Sequence, residues 1–282
     1  ITGTAVMASL DISGDIDVDG TSNLDIVDID VSLDVNGTIK LDGNYPTGTD
    51  NVALGDTALD SVTSGGINNT AIGDAAGTAI TTGDNNVAVG KGSLQASITG
   101  HSNVAVGACA LFNATCEENT AVGFKAGVAT TTGCGITAIG MCALHSHTTG
   151  GDNNAVGMCS QFTTTTGSGN NSMGHKSMEL NTTGNSNVAI GEQALRRNTT
   201  ACNNTALGSE SLCANTTGTS NVAVGRQALK ANTTADHNTA IGFCALKANT
   251  TGTLNTMVGS CSGFAMTTGQ QNSGIGINTF QA

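Results

Sequence analysis

Few groupings in this chain have the residue types and spacing for chemistry. His145-Ser146-His147 is its one close histidine pair. Two positions apart on a strand, imidazoles point to the same side, and three copies around a threefold axis would offer six nitrogens to a transition metal. The pair lies in a variable turn after Leu144, where solvated histidine is the ordinary expectation. Asp15-x-Asp17-x-Asp19-Gly20 matches the front half of a calcium loop, a device for clustering oxygen ligands. Ile26 stands where the loop's closing Glu belongs, and alternating Asp on the wet face of a strand explains the same letters. Asn-Thr-Thr recurs at Asn181, Asn198, Asn215, Asn232 and Asn249, always 17 residues apart. Each is an Asn-x-Thr glycosylation pattern, and each is also what a turn of stacked Asn and Thr would repeat.

No catalytic constellation is legible. The glycines follow a structural period rather than a strand–loop–helix phosphate cradle, and Ser and Thr lack a His and a carboxylate in consistent phase. The reading is therefore of a protein that is not an enzyme and carries no cofactor. Nine cysteines show neither zinc-site nor disulfide-scaffold spacing. Cys109, Cys142, Cys159, Cys244 and Cys261 keep phase with a repeat and read as small buried hydrophobes. Cys142/Cys159 and Cys244/Cys261 would stack on neighbouring coils, where parallel Cβ directions disfavour a bridge.

The elements that must position these residues follow from a period. One glycine recurs at 55, 73, 90, 107, 123, 140, 157, 174, 191, 208, 225, 242, 259 and 276, with intervals of 18, 17, 17, 16 and then 17 throughout. Gly191, Gly208, Gly225 and Gly242 close the clearest copies, which Asn187, Asn204, Asn221 and Asn238 open. So strict a repeat marks a solenoid-like architecture. The invariant glycine implies positive φ or a backbone approach with no room for Cβ. Asn opens thirteen of the fourteen copies, with Ile136 the exception, and stacked amides can bond along such a column.

Each copy has two short apolar runs, Val/Thr-Ala-Val/Ile and Ala-Leu, both too short for a stable helix. The expectation is two short strands and two turns per coil, stacked in parallel about 4.8 Å apart, giving a rod of about 65 Å. Where the leucine column holds Gly77, Gly127, Gly263 or Gln161, the following residue is Thr78, Val128, Phe264 or Phe162, and three of those four could refill the space. The composition suits a thin stacked core: 39 Gly, one Pro, no Trp and one Tyr. Residues 1–50 differ. They carry ten Asp against Lys40 alone, alternate Asp with Leu, Ile or Val, and read as a separate β segment before the coils of 51–282. A net charge of −12 argues against nucleic acid or anionic membrane as partners, and no run of 18 apolar residues offers a membrane span.

The phrases NVAVGRQAL, NTAIGFCAL and NTTG resemble the head repeats of trimeric autotransporter adhesins, over residues 51–276. The resemblance implies a homotrimeric, left-handed parallel β-roll exposed on a surface and used for attachment. The period here is longer, and neither a C-terminal barrel nor a heptad stalk is visible. Similar repeats after Asp-rich segments like LDISGDIDVDG are typical of fibre proteins of marine tailed phages. No binding residue carries over, since the shared phrase is scaffold.

The fold expected is thus all-β: a parallel β-roll or β-solenoid of about fourteen 17-residue coils, an interlocked homotrimer, preceded by the Asp-rich segment. The function expected is a non-enzymatic fibre segment of a phage tail or virion appendage, a stiff spacer and host-attachment element. Its partners would be its own copies and a host or cell-surface receptor, for which a glycan is one candidate. A cellular extracellular adhesin or filament subunit is the alternative. A polysaccharide-cleaving fibre is a distant third, since carboxylates are sparse and out of phase in the coils.

Overall fold

Alanine sits at the centre of nearly every strand because the strand is three residues long and only its middle side chain faces inward. In the computed structural model, which describes residues 48–63 and 65–280, fourteen such strands run from β1 (Val52–Leu54) to β14 (Ser273–Ile275). They form one sheet in sequence order, every pair parallel and in register, so that Ala206 stands between Ala189 and Ala223. Expectations about residues 1–47, including the Asp-rich segment, lie outside the described residues. The chain divides into units 1–41 and 42–282, and everything described belongs to the second.

Each coil contains one strand, not the two expected. The Ala-Leu run is a turn. Its leucines take the left-handed conformation, with φ of +52° at Leu195 and +51° at Leu229, and the residue two places earlier does the same. The turn still bonds coil to coil: the Leu195 N–H donates to the Ser211 carbonyl at 2.9 Å, and Arg197 N–H to Cys213 at 3.1 Å. Left-handed backbone costs an L-residue about 1–2 kcal/mol and is worst for β-branched side chains. Hence the column holds Leu, Met, Gln, Phe or Gly and never Val, Ile or Thr.

The repeat glycine satisfies both readings of its invariance. All fourteen copies have φ between +124° and +138°, and a Cβ on Gly225 would stand 2.6 Å from the Gly242 carbonyl oxygen.

The core is alanine from the strands and leucine from the turns, in two clusters, one ending at Ala155 and one beginning at Met178. A buried polar layer separates them. Gln161 occupies its own leucine position, with Nε2 donating to the Asn154 and Asn170 carbonyls and to Ser172 Oγ at 3.0–3.2 Å. Ser160 Oγ bonds Ser172 and Ser177 at 2.5 and 2.9 Å. Phe162, expected to refill this level, is half-buried and stacked on His145 instead.

The glycines of the leucine column are likewise compensated from other columns. The positions beside a Cβ on Gly77 are taken by Leu59 and Ile80, and beside one on Gly127 by Leu111 and Ile136. At Gly263 they are taken by Leu246, Met257 and Met266. Phe264 remains exposed, and Thr78 and Val128 are half-buried. A residue following the leucine position points away from the core, so the filling comes from whichever column faces the gap.

Candidate functional site

Two asparagine columns run through the interior. In the first, Asn204 Oδ1 accepts the backbone N–H of Asn221 at 3.0 Å and its Nδ2 at 3.2 Å. Asn204 Nδ2 donates to Asn187 Oδ1 at 3.3 Å and to the Gly218 carbonyl at 2.9 Å. Asn187, Asn221 and Asn238 repeat the pattern, and all four are buried. The second column holds the acceptor-pattern residues Asn181, Asn198, Asn215, Asn232 and Asn249, and they too are fully buried. The Asn198 amide donates to Asn181 Oδ1 at 2.8 Å and to the Ala201 carbonyl at 3.0 Å. A glycan on such a nitrogen would displace one of these bonds and need space inside the coil, so the folded stack leaves these five amides no outlet.

The histidine pair is split. Residues 141–146 are a turn, so the alternation of a strand does not apply. His145 lies outside, its ring 4.7 Å from that of Phe162. Partial burial and the nearby Lys125 charge lower its pKa. His147 is fully inside, in the second asparagine column. Its Nε2 faces Asn153 Nδ2 at 3.2 Å and its Nδ1 faces Thr130 Oγ1 at 3.3 Å. An amide nitrogen can only donate, which makes Nε2 the acceptor and the ring neutral. Burial pushes its pKa down to about 4. The two imidazoles share no surface on which an ion could sit between them. Asp15, Asp17 and Asp19 lie outside the described residues, and among those described no group of three His, Cys, Asp or Glu could hold a metal.

The cysteines depart from expectation. Of the five in phase with the repeat, Cys244 alone is buried; the others are half-buried. Cys116 and Cys134 form a disulfide between neighbouring coils, with Cα atoms 5.5 Å apart. Cys116 belongs to the one 16-residue repeat. The missing residue shifts it into the column that elsewhere holds Gly or Ala, diagonal to Cys134, and that shortened interval was the available signal.

What the coils present outward is the strand's other face. The residue before the repeat glycine is Leu, Ile, Val or Met in every coil, and because the central alanine points in, this side chain points out. Ile190 is 43% exposed and Met173 53%. Phe124, Met141, Met158 and Phe243, just after their glycines, add further exposed apolar surface alongside. The result is a continuous aliphatic stripe along the described sheet. Soluble single chains seldom expose apolar patches of more than a few hundred Å² unless they bind something there.

Fold and surface together define a rigid, elongated, all-β parallel solenoid, the architecture of a fibrous or structural repeat protein. No family model matches the chain, and no curated protein or solved structure is similar to it. Among the described residues no helix is long and apolar enough to cross a membrane.

Proposed function

We propose that this chain is a segment of a homotrimeric extracellular fibre, a virion appendage of the tail-fibre kind, serving as a stiff spacer that carries host-attachment surfaces. One observation carries the reading: the aliphatic stripe on the outer face of the sheet, one side chain from each of the fourteen strands, exposed on eight and half-buried on six, which gives three parallel copies a common seam. Stiffness follows from bonding. Almost every coil level is joined to the next by backbone hydrogen bonds and by the asparagine columns, so bending the rod means stretching several of these at once. Attachment would be multivalent. Three chains and many similar coils present the same surface repeatedly, so weak contacts sum through effective concentration.

Light scattering on the purified chain tests the reading. Three times the chain's 27.8 kDa is expected. Replacing Ile190 and Val224 together with Asp should then release single chains of unchanged β-sheet signal. A wild-type mass of one chain at micromolar concentration overturns the trimer, and polydisperse polymers would favour a filament subunit.

A further inference from the structure

Beside the leucine turns of the C-terminal half lies a groove of about 580 Å³. Two columns build it. The residue after the leucine is Arg196, Cys213, Lys230, Lys247 and Phe264 on five consecutive coils, and the next is Arg197, then Ala214, Ala231 and Ala248. Alanine methyls and the stems of the long cations make an apolar floor, with Phe264 exposed at one end. At about 4.8 Å per coil the row extends about 19 Å along the stack.

The charge of this groove opposes that of the protein. Six of the chain's nine Lys and Arg fall between residues 176 and 247, against the four acids Glu179, Glu192, Glu210 and Asp236. No acid lines the groove itself. Arg196 is held by Glu179 at 2.5 Å and Lys230 by Glu210 at 2.9 Å. Arg197 and Lys247 have no carboxylate within ion-pair distance among the described residues. Lys247 Nζ rests 5.4 Å from the centre of the Phe264 ring.

We infer that this groove binds a linear acidic polysaccharide lying along the stack. Arg197 and Lys247 take its carboxylates or sulfates, and the Phe264 ring and alanine floor take the apolar faces of its sugars. A peptide fits less well. Extended peptides gain affinity by pairing their main chain with free backbone groups, and here the N–H groups of Arg197, Ala214, Ala231 and Ala248 are already bonded to the next coil at 3.0–3.2 Å. Nucleic acid also fits less well: successive bases bind by stacking on a series of aromatic rings, and Phe264 is the one aromatic side chain lining the groove. A linear chain of anions, by contrast, can meet both Arg197 and Lys247, which stand three coils apart, about 14 Å along the stack.

The test is calorimetric titration of the full chain at low salt with two oligosaccharides of equal length, a polyuronate and a sulfated glucan. Neutral dextran, a poly-glutamate peptide and a DNA duplex serve as comparisons. Binding of at least one anionic sugar and not of dextran is expected, weakening as salt rises. The preferred oligosaccharide tells carboxylate from sulfate. Arg197→Ala and Lys247→Ala should each weaken binding about tenfold, the loss of one charge-assisted hydrogen bond. Phe264→Ala should weaken sugar binding several-fold. Lys125→Ala is the matched control, since Lys125 also sits over an aromatic ring, Phe124, at 5.3 Å but outside the groove, and it should change nothing. Absence of binding to either anionic sugar overturns the inference. So does equal loss in the Lys125 variant, or binding of poly-glutamate or DNA as tight as that of the sugar. The groove needs only one chain: a monomer that binds the sugar would remove the fibre reading and keep this one.

Discussion

Ile136 closes the space that Gly127 leaves open. A Cβ on Gly127 would stand 3.5 Å from Ile136 Cδ1, and Ile136 is the single coil opening at which the first asparagine column fails. The two departures from the repeat are one compensated pair. The exchange has a polar consequence. Ile136 N–H still donates to Asn119 Oδ1 at 3.1 Å, but its side chain has no oxygen to receive Asn153. The column is cut at this level, and Asn153 Nδ2 turns instead to His147 Nε2 at 3.2 Å and the Gly167 carbonyl at 2.7 Å.

Ile136→Asn alone should destabilise by about 2–4 kcal/mol, through the cavity beside Gly127. Adding Gly127→Leu, which restores both columns to the pattern of their neighbours, should recover most of that loss. A double-mutant cycle read by urea denaturation should give a coupling of about 1–3 kcal/mol. Additive single effects would mean the two positions do not share a space.

Left-handed leucines make side-chain shape matter more than volume. Leu229 is fully buried at φ +51°. Leu229→Met should cost under about 1.5 kcal/mol, as volume-conserving swaps do. Leu229→Ile, equally apolar and equal in size, should cost about 2 kcal/mol more, because branching at Cβ collides with the backbone at positive φ. Equal stability of the two variants would show that the turn can leave that conformation.

Gly225→Ala should be among the most damaging small substitutions in the chain. It combines a φ of +124° with a methyl 2.6 Å from the Gly242 carbonyl oxygen. A loss of about 3 kcal/mol or more is expected. In a stack whose coils depend on their neighbours, hydrogen exchange should quicken first in the strands on either side, β11 (Val222–Val224) and β12 (Thr239–Ile241). Unchanged exchange there would mean that the coils do not need to approach so closely.

His147 makes the stack acid-sensitive. Its folded pKa is pushed down to about 4 from an ordinary 6.5. The unfolded chain therefore binds the extra proton between those values, and stability falls as pH drops from about 6.5 to about 4. The full difference is about 3 kcal/mol. His147→Asn, which installs the residue that fills this column farther along, should remove that part of the acid dependence. Melting temperatures of both proteins from pH 8 to pH 4 measure it. Parallel curves would mean that the ring stays neutral in both states or reaches water when folded.

Much of this was legible in the letters because a solenoid repeats its contacts at the period of its sequence. One glycine per coil stands for one strand per coil, and the all-β, parallel, stacked architecture follows from spacing alone. The second strand was misread because an Ala-Leu pair is apolar in a strand and in a turn alike; only the left-handed φ distinguishes them, and its trace was the lack of β-branched residues in that column. His145 and His147 were read together because they are two apart, whereas the turn between them sends one ring inward and the other out.

The sequence by itself determined the coil length, the number of coils, the glycine column and the parallel register, since each is a property of one repeat copied along the chain. Only the tertiary structure decided what depends on unlike residues meeting across coils. Ile136 filling the gap at Gly127, Cys116 reaching Cys134, the burial of the acceptor-pattern asparagines and the cationic row beside Phe264 are of this kind. Such contacts join residues of different columns and coils, and those distances are set by how the turns stack, not by the period.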